Sequence, residues 1–393
     1  MSNDKLECVC FGAGALGLGF LGPELSPECR VTYVDVPAKA SLLDHLHGGG
    51  DYAFNQTGLA MRAVRIPGAD GLAIAEGTAA RLRDLLDRAH IVFTAVGEPN
   101  LPRLAPAMAA AALGRTAAAP LRILCGENGV EIARTFREAV LREAGRDPGD
   151  ALRVGDTVMG RMCKVVADPE PPVEPAAPGL DWAVVAEPFF GIPVEAHALA
   201  GLPRIPAALS PQNPARFSAS EDVKMLSHNG LHATLGCLGY LRGALYFDEL
   251  RADHELMALG QRLLLDEAGG ALLKKHGDAL GRNEYLNYSD SIPRRVTCPV
   301  FHDSVERGVR GIMRKLEPSE RLVYSVRTVA AQGIKPEAFA TGLAAAVIVA
   351  QRTGETELDF REVLTTHCAF DPDRDAGLLA LVEARRAALS EED

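Results

Sequence analysis

The feature that most constrains this chain is a glycine pattern near its start. Gly12-Ala13-Gly14-Ala15-Leu16-Gly17 directly follows the short apolar run Leu6–Phe11, and a helix-compatible stretch, 18–21, comes next. A G-x-G-x-x-G between a strand and a helix suits few architectures. Its glycines permit a tight turn and close backbone approach to a pyrophosphate, and the helix N-terminus faces the anion. Alone the pattern is weak, because 38 glycines in 393 residues would supply about 0.4 matches by chance. Its context strengthens it. A second apolar run, 31–36, is rich in β-branched residues and carries Asp35, 35 − 17 = 18 residues past Gly17. A carboxylate there accepts hydrogen bonds from adenosine ribose hydroxyls and repels a 2′-phosphate, so NAD is the expected cofactor. Gly12, Gly14, Gly17 and Asp35 are therefore candidate cofactor contacts. The competing reading is a glycine-rich turn, with Asp35 opening a second turn before Pro37.

Length and charge narrow the class. A chain of 393 residues suggests two or three domains. Its 41 Lys+Arg against 52 Asp+Glu give 41 − 52 = −11, which argues against a sequence-independent nucleic-acid binder. No apolar run approaches the length of a membrane span, and residues 1–6 show no secretory pattern. The eight cysteines (8, 10, 29, 125, 163, 237, 298 and 368) are scattered, with no C-x-x-C pair and no clustered histidine. They read as reduced thiols of a cytoplasmic protein without a metal site.

Apolar runs at 6–11, 31–36, 91–96 and 121–125 alternate with helical stretches such as 79–88 and 104–113. Buried strands separated by helices imply parallel βαβ units, hence an α/β Rossmann-type doubly wound sheet. A proline-rich loop, 168–178, a β-like segment at 182–185 and a second proline-rich stretch, 202–214, follow. Beyond Pro214 strand signals nearly vanish. Helical patterns run over 220–241, 254–276, 336–351 and 377–389, with Ser220 as a helix start. The expected domains are 1–208, nucleotide-binding, and 209–393, mostly α-helical.

Two strand ends stand out. Thr94-Ala95-Val96-Gly97 and Gly126-Glu127-Asn128-Gly129 fall where strands four and five of the sheet should end, the place where ligands bind in such sheets. Val96 and Gly97 are candidate cofactor contacts. Asn128 suits the nicotinamide ribose or the substrate, and equally an Asn-Gly turn.

The helical half holds a chemical constellation. There are eight lysines against 33 arginines, and Lys224 is followed by Asn229 and His232 at i+5 and i+8. At 100° per residue they lie at roughly 0°, 140° and 80°, within one arc of a helix. Metal-free alcohol oxidation needs a base for the hydroxyl proton and donors for the developing oxyanion. A desolvated lysine can be that base, and an asparagine amide and a histidine N–H can be those donors. The same residues also read as a solvated lysine, an asparagine preceding Gly230, and a half-buried histidine. His228 reads as a packing group.

These stretches, with Glu187-Pro188-Phe189-Phe190, 202–206, 238–241, 303–307 and Arg314-Lys315-Leu316, resemble the polyol-specific long-chain dehydrogenases, the mannitol dehydrogenase family. The resemblance runs over nearly the whole chain, and K-x4-N-x2-H is its most specific motif. It implies a metal-independent, NAD-dependent oxidoreductase interconverting a polyol or its phosphate and a ketose. Mannitol 1-phosphate and fructose 6-phosphate are the expected pair, acted on by a monomer in a cleft between domains. Lys224 would be the general base, with Asn229 and His232 at the substrate oxygen and Asn128 at substrate or cofactor. One departure is clear. Where the family carries Val-Asp-Arg, this chain has Val158-Met159-Gly160-Arg161, so a carboxylate near the substrate hydroxyls is replaced by Gly160.

Arg307, Arg310 and Arg314 are spaced i, i+3, i+7, one stripe if the segment is helical, with Lys315 adjacent. Guanidinium groups suit a phosphate dianion. The plain alternative is a solvated face paired with Glu306 and Glu317. Phosphate-using relatives carry similar basic residues here, which favours a phosphorylated substrate. The remaining alternatives are an unphosphorylated polyol, a sugar acid such as a hexuronate, or a nucleotide-binding protein that has lost catalysis.

Overall fold

The computed structural model describes residues 5–129 and 131–391. They divide into two compact units, Met1–Phe217 and Ser218–Asp393. The division falls 217 − 208 = 9 residues beyond the expected boundary. The reason is local: 209–212 forms a strand that pairs with one in the first unit.

Among the described residues, twelve strands build the first unit: β1 Leu6–Phe11, β2 Cys29–Asp35, β3 Tyr52–Gln56, β4 Arg62–Ile66, β5 Asp70–Ala73, β6 Ile91–Thr94, β7 Leu121–Cys125, β8 Leu152–Asp156, β9 Cys163–Ala167, β10 Trp182–Ala186, β11 Ile192–Glu195 and β12 Leu209–Gln212. The main sheet has the order β5-β2-β1-β6-β7-β8, and every pairing in it is parallel. Its central strands are almost wholly buried, as a sheet covered on both faces requires. A mixed sheet, β4-β3-β10-β9, and the parallel pair β11-β12 complete the unit.

Chain order reverses at β1, which lies between β2 and β6. Such a switch point opens a crevice at the strands' carboxyl ends. Phe11 pairs with Val34 and Thr94, Thr94 pairs with Cys125, and Cys125 pairs with Asp156. This register brings Gly12, Asp35, Ala95 and Gly126 to one end of the sheet. The expected fourth and fifth strands are β6 and β7, fourth and fifth across the sheet although sixth and seventh along the chain.

The proline-rich loop lies between β9 and β10. Buried Asn55 secures it, its Nδ2 donating to the Glu174 carbonyl at 2.8 Å and its Oδ1 accepting from the Glu174 N–H at 2.9 Å.

The second unit is helical. Residues 214–241 form one helix, α-helical over Pro214–Asp222, π-wound over Val223–Asn229, and α-helical again over Gly230–Leu241. It starts six residues before the expected Ser220. Residues 254–276 are continuous in the same manner, with a π-wound turn at Leu263–Gly269. Helix Glu337–Arg352 is buried on most of its circumference and packs against Gly230–Leu241. Gly342 permits the approach, since a Cβ there would stand 2.3 Å from Thr234 Oγ1.

Candidate functional site

The glycine loop in the first unit is shaped by close contacts. Gly12 has φ +109°, and a Cβ on it would lie 2.4 Å from the Ala95 carbonyl oxygen. A Cβ on Gly17 would lie 2.0 Å from the Gly12 carbonyl oxygen. At Gly14 nothing lies within 4 Å of that position, so the loop presents open backbone where a pyrophosphate would approach. Asp35 has a second role that its spacing did not reveal. Its Oδ2 accepts from the Ala13 N–H at 2.7 Å and its Oδ1 from the Val36 N–H at 2.7 Å. The carboxylate thus holds the turn, and each oxygen keeps a lone pair for a ribose hydroxyl. Behind the loop, residues Gly17–Leu21 are π-wound: the Gly17 carbonyl accepts from Gly22 N–H and from the buried Tyr33 hydroxyl at 3.1 Å.

Glu127, at the carboxyl end of β7, is buried. Its Oε2 accepts from Thr94 Oγ1 at 2.6 Å and its Oε1 from the Val96 N–H at 3.0 Å. Burial raises its carboxyl pKa, while Thr94 and the N–H groups of Val96, Glu127 and Gly97 oppose the rise. Glu127 therefore clamps the β6 loop from one side while Gly12 packs on it from the other. Gly97 in that loop has φ +82°, and Asn128, beside the clamp, is exposed.

Gly160 is covered. A Cβ on it would lie 2.6 Å from Phe189 Cε1, so the ring fills the space a side chain would take. Arg161 fixes the arrangement, its Nε donating to the Phe189 carbonyl at 2.6 Å and its guanidinium reaching Gly19 O and Glu24. Asp156 does not stand in for the missing carboxylate. Its Oδ1 accepts from the Ala133 N–H at 2.9 Å, in the first turn of helix Ile132–Ala144. Burial, opposed by that bond and reinforced by Glu195, pushes Asp156 up to about 7.

In the second unit the π-wound turn changes how the trio is arranged. Lys224 and Asn229 both lie in it. With i→i+5 hydrogen bonding they stand one above the other rather than 140° apart. His232 follows one α-turn later, in helix Gly230–Leu241. Lys224 is half-buried. Desolvation, reinforced by the Arg321 cation and opposed by Glu221, pulls its pKa down to about 7.

His232 Nε2 lies 3.1 Å from Asp303 Oδ2, and the ring stacks on Phe247 with centroids 4.4 Å apart. Asp303 is buried and takes a two-pronged bond from Arg307, Nε to Oδ1 and one terminal nitrogen to Oδ2, both 2.6 Å. Its desolvation is outweighed by His232 and Arg307, which hold its carboxyl well below the usual range. His232 itself is lowered by burial, against the pull of Asp303. His228 stacks parallel to His232 and is lowered further, by burial and then by Arg295.

The basic cluster is not one stripe. Helix Val305–Val309 stops at Arg310, Gly311 has φ +62°, and a new turn, Ile312–Lys315, begins. Two glycines, at 308 and 311, leave this segment little reason to continue as a helix. Arg307 is committed to Asp303. Arg310 is 73% exposed and faces Glu306 at 3.8 Å, and Arg314 is 54% exposed and pairs with Glu320 at 2.5 Å. Two cations are more enclosed, Lys315 of the expected cluster and Arg321, which the sequence did not single out. Lys315 is buried, donates to the Gly308 carbonyl, and is pulled down to about 8, by desolvation first and Arg321 second. Arg321 is 14% exposed and paired with Glu320 at 3.1 Å. Only tertiary packing distinguishes these buried cations from ordinary surface ones. The i, i+4 spacing of Asp303 and Arg307 was the readable signal for that pair.

Comparison with known proteins decides the family. The Mannitol dehydrogenase Rossmann domain matches residues 6–207, and the Mannitol dehydrogenase C-terminal domain matches 218–360. The chain belongs to the mannitol dehydrogenase family. Family membership makes it an oxidoreductase that acts on the CH–OH of a polyol with NAD. Similar curated proteins include mannitol-1-phosphate 5-dehydrogenase of Shouchella clausii, 28% identical, with 85% of this chain and 86% of that one covered. The protein of the same name from Pseudarthrobacter chlorophenolicus is 28% identical, with 98% and 99% covered. Among solved structures, Pseudomonas fluorescens mannitol 2-dehydrogenase, in a ternary complex with NAD and D-mannitol, has a TM-score of 0.71 at 16% identity, covering 99% of this chain and 92% of that one. Substrate-free D-sorbitol dehydrogenase has a TM-score of 0.73 at 16% identity, covering 99% and 94%. Both share the fold of this mannitol dehydrogenase family member. Among the described residues no helix is long and apolar enough to cross a membrane.

Proposed function

We propose that this protein interconverts a polyol phosphate and a ketose phosphate, with mannitol 1-phosphate and fructose 6-phosphate as the pair and Lys224 as the acid–base group. The observation that carries the reading is Lys224 itself, an amine drawn to about 7 on the same face of a π-wound turn as Asn229. NAD, when bound, would supply the hydride acceptor for the carbinol carbon. Gly12, Gly14, Gly17 and Asp35 hold its adenosine and pyrophosphate, and Val96, Gly97 and Asn128 hold its nicotinamide side. In the oxidative direction neutral Lys224 takes the hydroxyl proton, the Asn229 amide donates to the oxygen as charge develops, and His232 contacts the substrate beside them. In reduction the Lys224 ammonium returns the proton.

The phosphate reading draws on the relatives' names and on the cations of the second unit. Lys315 and Arg321, both enclosed and near enough for the Arg321 cation to lower the Lys315 pKa, suit a dianion better than exposed Arg310. Arg314 stands nearer the solvent, and Arg307 acts through Asp303. A second reading, a sugar-acid substrate, is favoured by Gly160, since the missing carboxylate would no longer repel a substrate carboxylate. The eight free thiols suit a reducing, cytoplasmic setting.

NADH consumption with fructose 6-phosphate, fructose and free hexuronates, each with and without EDTA, tests both readings. Turnover confined to fructose 6-phosphate and insensitive to EDTA is the expected result. Turnover confined to a hexuronate would install the second reading.

A further inference from the structure

His232 is held from behind by a carboxylate that is itself held by a cation. Asp303 accepts the two bonds from Arg307, and Oδ2 also faces His232 Nε2. The stack on Phe247 fixes the ring plane, and Phe247 is tied to the same residue, its N–H donating to the Asp303 carbonyl at 2.9 Å. Arg307 is a donor only, and an ionised carboxylate is an acceptor only. The hydrogen between His232 and Asp303 must therefore belong to His232. A neutral imidazole carries one N–H, so an Nε2–H leaves Nδ1 as a bare lone pair. Among the described residues only Nε2 of this ring is engaged.

This changes what His232 can do. From sequence alone it is an N–H donor to the developing oxyanion. In the Nε2–H form its free nitrogen accepts instead. A lone pair cannot stabilise an oxyanion, but it can receive the hydrogen of a hydroxyl. A polyol supplies such a hydroxyl on the carbon next to the one oxidised.

We propose that Asp303 is a positioning residue that, anchored by Arg307, fixes His232 in the Nε2–H form. Nδ1 then receives a substrate hydroxyl, and the oxyanion is left to Asn229 and Lys224. The inference rests on the placement of His232 at the substrate under Proposed function. It adds a substrate requirement: a donor hydroxyl adjacent to the reacting carbon.

The test is Asp303→Asn with imidazole nitrogen NMR on uniformly 15N-labelled protein, His232→Asn identifying the signal. Arg307 demands the amide oxygen, so the amide N–H₂ turns to His232 Nε2, which must then accept, and the proton moves to Nδ1. The expected result is an Nε2–H ring in the parent enzyme and an Nδ1–H ring in the variant. Polyol kcat/KM should fall about a hundredfold in the variant, with NADH Kd within about twofold of the parent. A change confined to fold would lower stability without reversing the tautomer. An Nδ1–H ring in the parent overturns the proposal, and that measurement needs no folded variant. A reversed tautomer at parental kcat/KM also overturns it. Parental turnover in His232→Asn would sink the placement of His232 itself, whereas lost turnover there with a parental Asp303→Asn sinks only the role of Asp303.

Discussion

Lys224 and Asn229 stand one above the other on a π-wound turn, so the amine and the amide share one helix face, as the proposed acid–base and oxyanion roles require. An α-helical register would set them well over a quarter-turn apart. The extra residue in the turn is what aligns them, which matches the frequent occurrence of π-turns at functional sites.

As the proposed acid–base group, Lys224 should set the pH dependence. With its pKa drawn to about 7, polyol oxidation should fall as pH drops through 7 and plateau above it. Replacing Arg321 by Gln removes a cation that lowers Lys224, so the acid limb should move to higher pH. A profile of kcat against pH for both proteins checks the direction. An unmoved limb would assign the depression to desolvation alone.

The same shift carries a cost in stability. Between pH 7 and the ordinary lysine value the unfolded chain binds a proton that the folded chain does not, so this group makes stability rise with pH across that window. Lys224→Met removes the burden. Its melting temperature at pH 7 should rise by a few degrees, while kcat falls about 10³-fold. Calorimetry beside steady-state kinetics would show both, and a lower melting temperature would contradict the account of Lys224 as a burdened group.

Glu127 makes a separate prediction in the first unit. Glu127→Ala releases Thr94 and the Val96 N–H, loosening the loop that packs on Gly12. NADH Kd should rise about tenfold, the worth of one or two hydrogen bonds. Glu127→Gln keeps an oxygen for Val96 and should recover most of the affinity. Fluorescence titration with NADH separates them. Equal losses in both variants would mean that the charge, not the hydrogen bond, matters.

Much of this was readable in the chain. The glycine loop, Asp35 and the helix bearing Lys224 announce themselves through local rules, because turns, ribose contacts and helix faces depend on residues near in sequence. The expected stretch 254–276 is helical end to end. What was hidden is what tertiary packing decides. Nothing local marks β3 or β8 as strands, or the turn at 223–229 as π-wound. Glu127 and Arg321 read as ordinary charges until burial singles them out, and burial sets Lys315 apart from the rest of its cluster. Arg307, Arg310 and Arg314 looked alike by spacing, yet a break at Gly311 and the nearness of Asp303 give each a different neighbour. The reach of Asp35 back to Ala13 spans 22 residues and depends on β1 and β2 being adjacent.

Gly160 gives the sharpest packing test. Gly160→Asp would drive a side chain into Phe189, whose Cε1 lies 2.6 Å from the new Cβ, and Phe189 is held through its carbonyl by Arg161. The new side chain must displace the ring, so the single variant should lose about 1–3 kcal/mol of stability, the usual penalty for overpacking. Phe189→Ala vacates the space, and in the double variant Gly160→Asp should be tolerated. Denaturant unfolding of the two single variants and the double variant forms a cycle whose coupling term should be favourable by about 1–2 kcal/mol. The double variant also carries a carboxylate where the Val-Asp-Arg pattern implied by the resemblance would place one. If Gly160 tunes the substrate, the ratio of kcat/KM for an unphosphorylated polyol over its phosphate should rise in the double variant relative to Phe189→Ala. Independent stabilities and an unchanged ratio would reduce Gly160 to a spacer beneath the ring.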